Sequence, residues 1–167
     1  EHLSALETLC EAFPELVVLS DETYNGLVYD GQSNRSPSSH PPLAARTILI
    51  RSFSKTWSIP GWRVGFLAGP ERFVEKIRGH HISICAYPSC SAQEAAKWAL
   101  NKGQEIGRKF RRQYQGLRDL LVRQLTGGTD FRIVAPEGTP YLFIPVRVSG
   151  RTMENELAAQ YNLHLLA

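Results

Sequence analysis

Lys55 stands in the run Ser52-Phe53-Ser54-Lys55-Thr56-Trp57-Ser58-Ile59-Pro60-Gly61-Trp62-Arg63-Val64-Gly65. Two hydroxyls and a guanidinium here offer donors for a phosphate, and the amine between them offers a nucleophile for a carbonyl. Phe53, Trp57 and Ile59 border the lysine, so partial desolvation is expected. Desolvation disfavours the ammonium form, which is how a lysine becomes a Schiff-base nucleophile. Most lysines are surface charges, and Ser-x-Ser-Lys alone would carry no more than that. A second group, Asp21-Glu22-Thr23-Tyr24, places a carboxylate and a phenol upstream.

Both groups follow short apolar runs. Leu16-Val17-Val18-Leu19 predicts a strand over 16–20, and Thr47-Ile48-Leu49-Ile50 predicts one over 47–51. Each delivers its polar residues at the C-terminal end, where ligands bind in open α/β sheets. Val64 to Ala68 predicts a third strand that returns beside the second, with Arg63 at its start. Ahead of them, Ser4-x-x-Glu7 reads as a capping box, followed by Leu6, Leu9, Cys10 and Phe13 on one helical face and a stop at Pro14. The polar stretch from Asp30 to Pro42 reads as a surface loop. Pro70 opens a helix with Phe73, Val74 and Ile77 on its inner face, and residues 79–90 show no clear period. Ser91-x-x-Glu94 reads as another capping box, opening an alanine-rich helix.

Ile106, Phe110, Tyr114, Leu117 and Leu121 mark a long amphipathic helix that ends before Gly127. Gly107 and Gly116 each weaken it by about 1 kcal/mol relative to alanine. Arg108, Lys109, Arg111, Arg112, Arg118 and Arg123 form a basic face, read as solvated. Strands are expected over 131–134 and 141–146, joined by a turn at 136–140, with a short helix carrying Met153, Leu157, Ala158 and Tyr161. The closing apolar run, Leu163 to Ala167, is expected to be covered by residues beyond it.

The 167 residues are 43% hydrophobic, enough to bury a core. No apolar run approaches the roughly 20 residues of a membrane helix, and a net charge of +3 is too small to call for a polyanionic partner. Cys10, Cys85 and Cys90 are odd in number and lack histidines at ligand spacing. Reduced thiols in an intracellular, cytoplasmic protein without a metal site are expected.

With Asp21-x-x-Tyr24, Ser52-Phe53-Ser54-Lys55, Gly61-Trp62-Arg63-x-Gly65 and the trailing Pro70 in view, the chain resembles the class I/II aminotransferases, pyridoxal-phosphate enzymes of fold type I. Weaker resemblance continues through Gln93-x-Ala95-Ala96 and Pro136-x-Gly138-Thr139. The resemblance implies an α/β fold. Residues 1–102 would form the latter part of the large cofactor-binding domain, a mainly parallel sheet between helices. Residues 103–167 would form the linking long helix and part of the small α+β domain.

It implies roles as well. Lys55 would form the Schiff base with pyridoxal 5'-phosphate and then move the proton of the substrate α-carbon. Asp21 would pair with the pyridine nitrogen, and Tyr24 would bond the ring oxygen and lower the pKa of the Schiff base. Ser52 and Arg63 would hold the phosphate, with Ser54 a phosphate contact or a brace for the turn. Gly61 and Gly65 would relieve crowding, and Trp57 and Trp62 would pack. The substrates would be an amino acid and a 2-oxo acid, and the intact enzyme would be a homodimer without nucleic-acid or membrane partners.

The family's stacking aromatic, its Gly/Ala/Thr phosphate loop and an asparagine near the ring oxygen would precede Glu1. Its arginine for the substrate α-carboxylate would follow Ala167. The family more often has an aromatic residue where Pro140 sits, and His80 and His81 match no role. The same ring-handling residues also serve a lyase or synthase of this fold (β-elimination or cyclisation). A non-catalytic truncated remnant is the alternative outside enzymes, and the 167 residues alone are expected to be inactive.

Overall fold

The computed structural model describes residues 2–128 and 133–144. Three strands form its sheet, in the order β1 (Val18–Asp21), β2 (Thr47–Ser52), β3 (Gly65–Ala68). β1 and β2 run parallel with Asp21 opposite Ile50, and β3 runs antiparallel to β2 with Ser52 opposite Gly65. The end of β1, the end of β2 and the start of β3 therefore share one edge of the sheet. That register, more than any single contact, gathers the polar residues found by sequence.

Helix α1 (His2–Ala12) is already under way at His2, so Ser4 lies inside it and caps nothing. Ser4 instead accepts from Thr8 Oγ1 at 3.1 Å, and Glu7 reaches across to His40 Nε2 at 3.0 Å. Of the face expected to be apolar, Cys10 is buried while Leu9 and Phe13 stay exposed. The helix ends on Arg46, whose Nη1 donates to the carbonyls of Cys10 and Pro14, both at 3.0 Å.

The stretch from Asp30 to Pro42 is not a plain surface loop. It folds into a 3₁₀ turn (Pro37–Ser39) capped by the Ser36 hydroxyl and leads into the short helix α2 (Pro41–Ala44). Leu43 is wholly buried, and so is most of Ser36.

After β2 comes one turn of helix, α3 (Phe53–Thr56), then a 3₁₀ turn (Pro60–Trp62) and β3. Arg63 reverses the chain in the left-handed region at φ 51°, and Phe53 N–H closes the loop on the Val64 carbonyl at 3.2 Å. Helix α4 (Glu71–Cys85) has Pro70 at its N-cap and covers the first part of the stretch without a clear period, while residues 86–89 connect it to the next helix. From Gly79 to Cys85 every residue is exposed, so no buried face imposes a period there.

Helix α5 (Cys90–Lys102) is capped by Ser89, whose Oγ accepts from Ala92 N–H at 3.2 Å; Ser91 lies inside the helix. Gly103 alone separates it from α6 (Gln104–Gly128), which runs through Gly127 instead of stopping before it. Ala92, Ala96 and Ala99 let α5 lie close on Phe53 and Val64, and Trp57 and Ile59 pack around them. Burying a phenylalanine such as Phe53 stabilises by about 2–3 kcal/mol. This apolar cluster fixes the turn that carries Lys55.

Residues 133–134 and 141–144 are not in strands, contrary to the expectation for 131–134 and 141–146. The turn between them pairs through an isolated antiparallel bridge, Gly138 with Val28. The remainder of those two predicted strands, the helix at 153–161 and the closing apolar run lie outside the described residues. Among the described residues no helix is long and apolar enough to cross a membrane.

Candidate active site

Lys55 sits in the middle of α3, half-buried, at the sheet edge where β1 and β2 end. Its Nζ lies over the ring of Tyr24, 5.8 Å from the centroid. No carboxylate forms an ion pair with it among the described residues. The side chain of the next residue, Thr56, fills a slot between the loop after β1 and helix α6. A Cβ at Gly26 would come within 2.3 Å of Thr56, and one at Gly107 within 3.4 Å. A Cβ at 107 would make only ordinary van der Waals contact there; the glycine that the docking requires is Gly103, where a Cβ would come within 2.9 Å of Trp57 Nε1. Trp57 Nε1 completes this docking by donating to the Gly103 carbonyl at 3.1 Å, which bears out its reading as a packing residue.

Asp21 ends β1 with an exposed carboxylate that accepts from Thr23 Oγ1 at 2.6 Å and from Thr23 N–H at 3.0 Å. The Thr23 hydroxyl first, and its N–H second, hold the Asp21 carboxyl below the usual range. Tyr24 packs edge-on against Tyr141, with centroids 5.6 Å apart, and the two hydroxyls share a 2.7 Å hydrogen bond. That bond, followed by burial and the nearby Asp21, pushes the Tyr24 hydroxyl up to about 12. Tyr24 is therefore a protonated phenol, able to donate, at neutral pH.

Ser52 caps α3, its Oγ accepting from Ser54 N–H at 3.1 Å, which leaves the hydroxyl hydrogen to donate elsewhere. Ser54 is buried beneath the turn. Arg63 is exposed; its Nη1 donates to the Pro60 carbonyl at 2.9 Å, and the rest of its fork has no partner among the described residues. Of the two glycines expected to relieve crowding, only Gly65 does so, since a Cβ there would meet the Arg51 carbonyl at 2.6 Å. Gly61 faces open space.

The structure thus brings Asp21, Tyr24, Ser52, Lys55 and Arg63 to one sheet edge, with Ser54 buried beneath. Reasoning from sequence missed the residues that hold this edge in place. Glu22 is buried and accepts from Arg51 Nη2 at 2.9 Å, from Ser20 Oγ at 3.1 Å and from the Ser36 hydroxyl. One carboxylate thereby ties β1, β2 and the 30–42 segment together. Arg51 interrupting an otherwise apolar strand was the only available signal.

A second tie was misread. Arg118 belongs to the supposedly solvated face of α6, yet its side chain is only 9% exposed. It grips Asp30 with both Nη atoms at 2.6 and 2.8 Å, donates to the Pro136 carbonyl at 2.9 Å and stacks 5.0 Å over Tyr29. Tyr29 in turn donates to the Thr139 carbonyl at 2.8 Å. These bonds press the 136–141 segment against the loop after β1, which is how Tyr141 reaches Tyr24. Elsewhere on that face Arg108 and Arg112 pair with Glu105. Among the described residues no group of His, Cys, Asp and Glu is arranged to hold a metal ion.

Comparison with known proteins places the chain in a family. The aromatic-amino-acid aminotransferase 2 of Thermococcus litoralis is 36% identical over 138 residues, which are 81% of this chain and 35% of that protein. An aspartate aminotransferase of Geobacillus stearothermophilus is 32% identical over 165 residues, 95% of this chain and 42% of the relative. Among solved structures, the aromatic aminotransferase from Pyrococcus horikoshii OT3 superposes with a TM-score of 0.87 at 26% identity, covering 97% of this chain and 44% of that one. Its fold is that of the fold type I aminotransferases, and the chain spans less than half the length of each of these relatives. The profile of aminotransferase class I and II matches residues 1–167 from end to end, and the chain belongs to that family.

Proposed function

We propose that the protein carrying this chain is a pyridoxal-phosphate-dependent aminotransferase, exchanging an amino group between an amino acid and a 2-oxo acid. The observation that carries this reading is a half-buried lysine without an ion-pair partner among the described residues. It lies over Tyr24 at the sheet edge shared with Asp21, Ser52 and Arg63. The donor set suits the cofactor: an incompletely used guanidinium fork and a free hydroxyl hydrogen for a phosphate dianion, a carboxylate held ionised for a pyridinium nitrogen, and a protonated phenol for a ring oxygen.

When bound, pyridoxal phosphate supplies an aldehyde that condenses with amines and a ring that accepts the electron pair left by a departing α-proton. The chain's own residues do the rest. Arg63 and Ser52 bind the phosphate oxygens and fix the register of the ring. Asp21, kept ionised by Thr23, holds a proton on the ring nitrogen. Tyr24 donates to the ring oxygen. Lys55 contributes its amine, first as the point of attachment and then as the base at the substrate α-carbon. Arginine could not replace it, because a guanidinium does not deprotonate in this range.

Residues 1–102 are the latter part of the large domain, and 103–167 the linking helix and part of the small one; the break at Gly103 between α5 and α6 supports that division. The intact protein is a homodimer of the cytoplasm, and the unpaired, exposed Cys85 and Cys90 fit a reducing compartment. Borohydride reduction of the loaded full-length protein, followed by peptide mapping, tests the assignment. Label is expected on Lys55, and Lys55→Ala should lose both the label and transamination. Label on another residue would overturn the reading.

A further inference from the structure

Tyr141 is not among the residues the sequence singles out, yet among the described residues it brings the second half of the chain into hydrogen-bond contact with one of them, Tyr24. Its hydroxyl lies 2.7 Å from that of Tyr24, its ring meets the Tyr24 ring edge-on, and either hydroxyl can be the donor. The contact is not an accident of a loose end. Residues 136–139 are stitched beneath it by Arg118 on the Pro136 carbonyl, Thr139 N–H on the Leu27 carbonyl at 2.9 Å, and Tyr29 N–H on the Glu137 carbonyl at 2.8 Å. Tyr141 N–H is itself held by Thr139 Oγ1 at 3.3 Å.

We propose that Tyr141 is a positioning residue that acts through Tyr24: once the cofactor's ring oxygen takes the Tyr24 hydrogen, the shared bond reverses from Tyr24 as donor to Tyr141 as donor, and Tyr24 then donates more strongly to the ring oxygen. This rests on the pyridoxal-phosphate reading given above. The physical reason is cooperativity: a hydroxyl that accepts one hydrogen bond is polarised and donates a stronger one. The groups facing the Tyr24 hydroxyl and ring are Asp21 from β1, Lys55 from α3 and Tyr141. Of the three, only Tyr141 is a neutral donor in hydrogen-bond contact. Asp21 spends its oxygen on Thr23, and Lys55 lies over the ring face.

The test is a spectrophotometric pH titration of the full-length, cofactor-loaded protein, reading the pH at which the chromophore at Lys55 loses its proton. Tyr24→Phe removes the donor to the ring oxygen and should raise that midpoint. Tyr141→Phe should raise it in the same direction by a smaller step of roughly 0.3 unit, the scale of a partial strengthening of one hydrogen bond. In a Tyr24→Phe background the Tyr141→Phe step should vanish. Tyr141 is 61% exposed, so the phenylalanine variant does not threaten the fold. An unchanged or lowered midpoint in Tyr141→Phe would overturn the proposal, and so would a step that persists without Tyr24. A protein that takes up no cofactor, or shows no titrating band, would instead overturn the reading it rests on.

Discussion

Replacing Glu22 with glutamine keeps an acceptor for Ser36 and Ser20 but leaves the Arg51 guanidinium facing a neutral amide. The Glu22 side chain is 4% exposed and that of Arg51 34%, and Arg51 Nε is already buried without a hydrogen-bond partner. Breaking a fully buried ion pair costs about 3–5 kcal/mol. With one partner a third open to solvent, about 2 kcal/mol is the reasonable figure for Glu22→Gln. Arg51→Met strands the more deeply buried charge and should cost about 3 kcal/mol. The double variant removes both charges together and should fall short of the sum by about 1–2 kcal/mol. Urea unfolding of the full-length protein, followed by far-UV circular dichroism, measures all three. Additivity within about 0.5 kcal/mol would mean that the two side chains do not hold β1 and β2 together, and the reasoning would be refuted.

Gly26→Ala should cost about 1–3 kcal/mol, because its Cβ has no room beside Thr56. Adding Thr56→Ala removes the two atoms at 2.3 Å but leaves the residue's Cβ at 2.8 Å, so it should return part of that loss in the same unfolding measurement, and no return at all would mean the loop is crowded elsewhere. Asp30 is held below the usual carboxylate range by its hydrogen bonds from Arg118. Its contribution is therefore complete above the unfolded value near 4 and is lost as the pH falls through the lower folded value. The stability difference between the parent and Asp30→Asn should be constant from pH 7 to about 5 and shrink on further acidification. A difference that ignores pH down to 2 would show that the Arg118 clasp does not depend on this charge.

Local patterns alone pick out the candidate residues and the strands that carry them. Lys55, Asp21, Tyr24, Ser52 and Arg63 were legible because each follows or opens a short apolar run, and strand periodicity is a local property. β1, β2 and β3 appeared close to where expected for the same reason. Caps and helix ends were less legible. Ser4 and Ser91 match a capping pattern but lie inside helices, because neighbouring residues also take helical geometry and the true cap of α5 is Ser89.

Which charges are buried follows from packing between distant segments. Arg118 and Arg108 look alike along α6, yet one is clasped by Asp30 from 88 positions away and the other pairs within its own helix. Glu22 and Tyr141 gain their importance from partners distant in the chain, and no local pattern encodes a hydrogen bond across 117 positions. Local spacing specifies where a side chain starts. The parallel pairing of β1 with β2, and the docking of α6 on the lysine turn, decide what it meets.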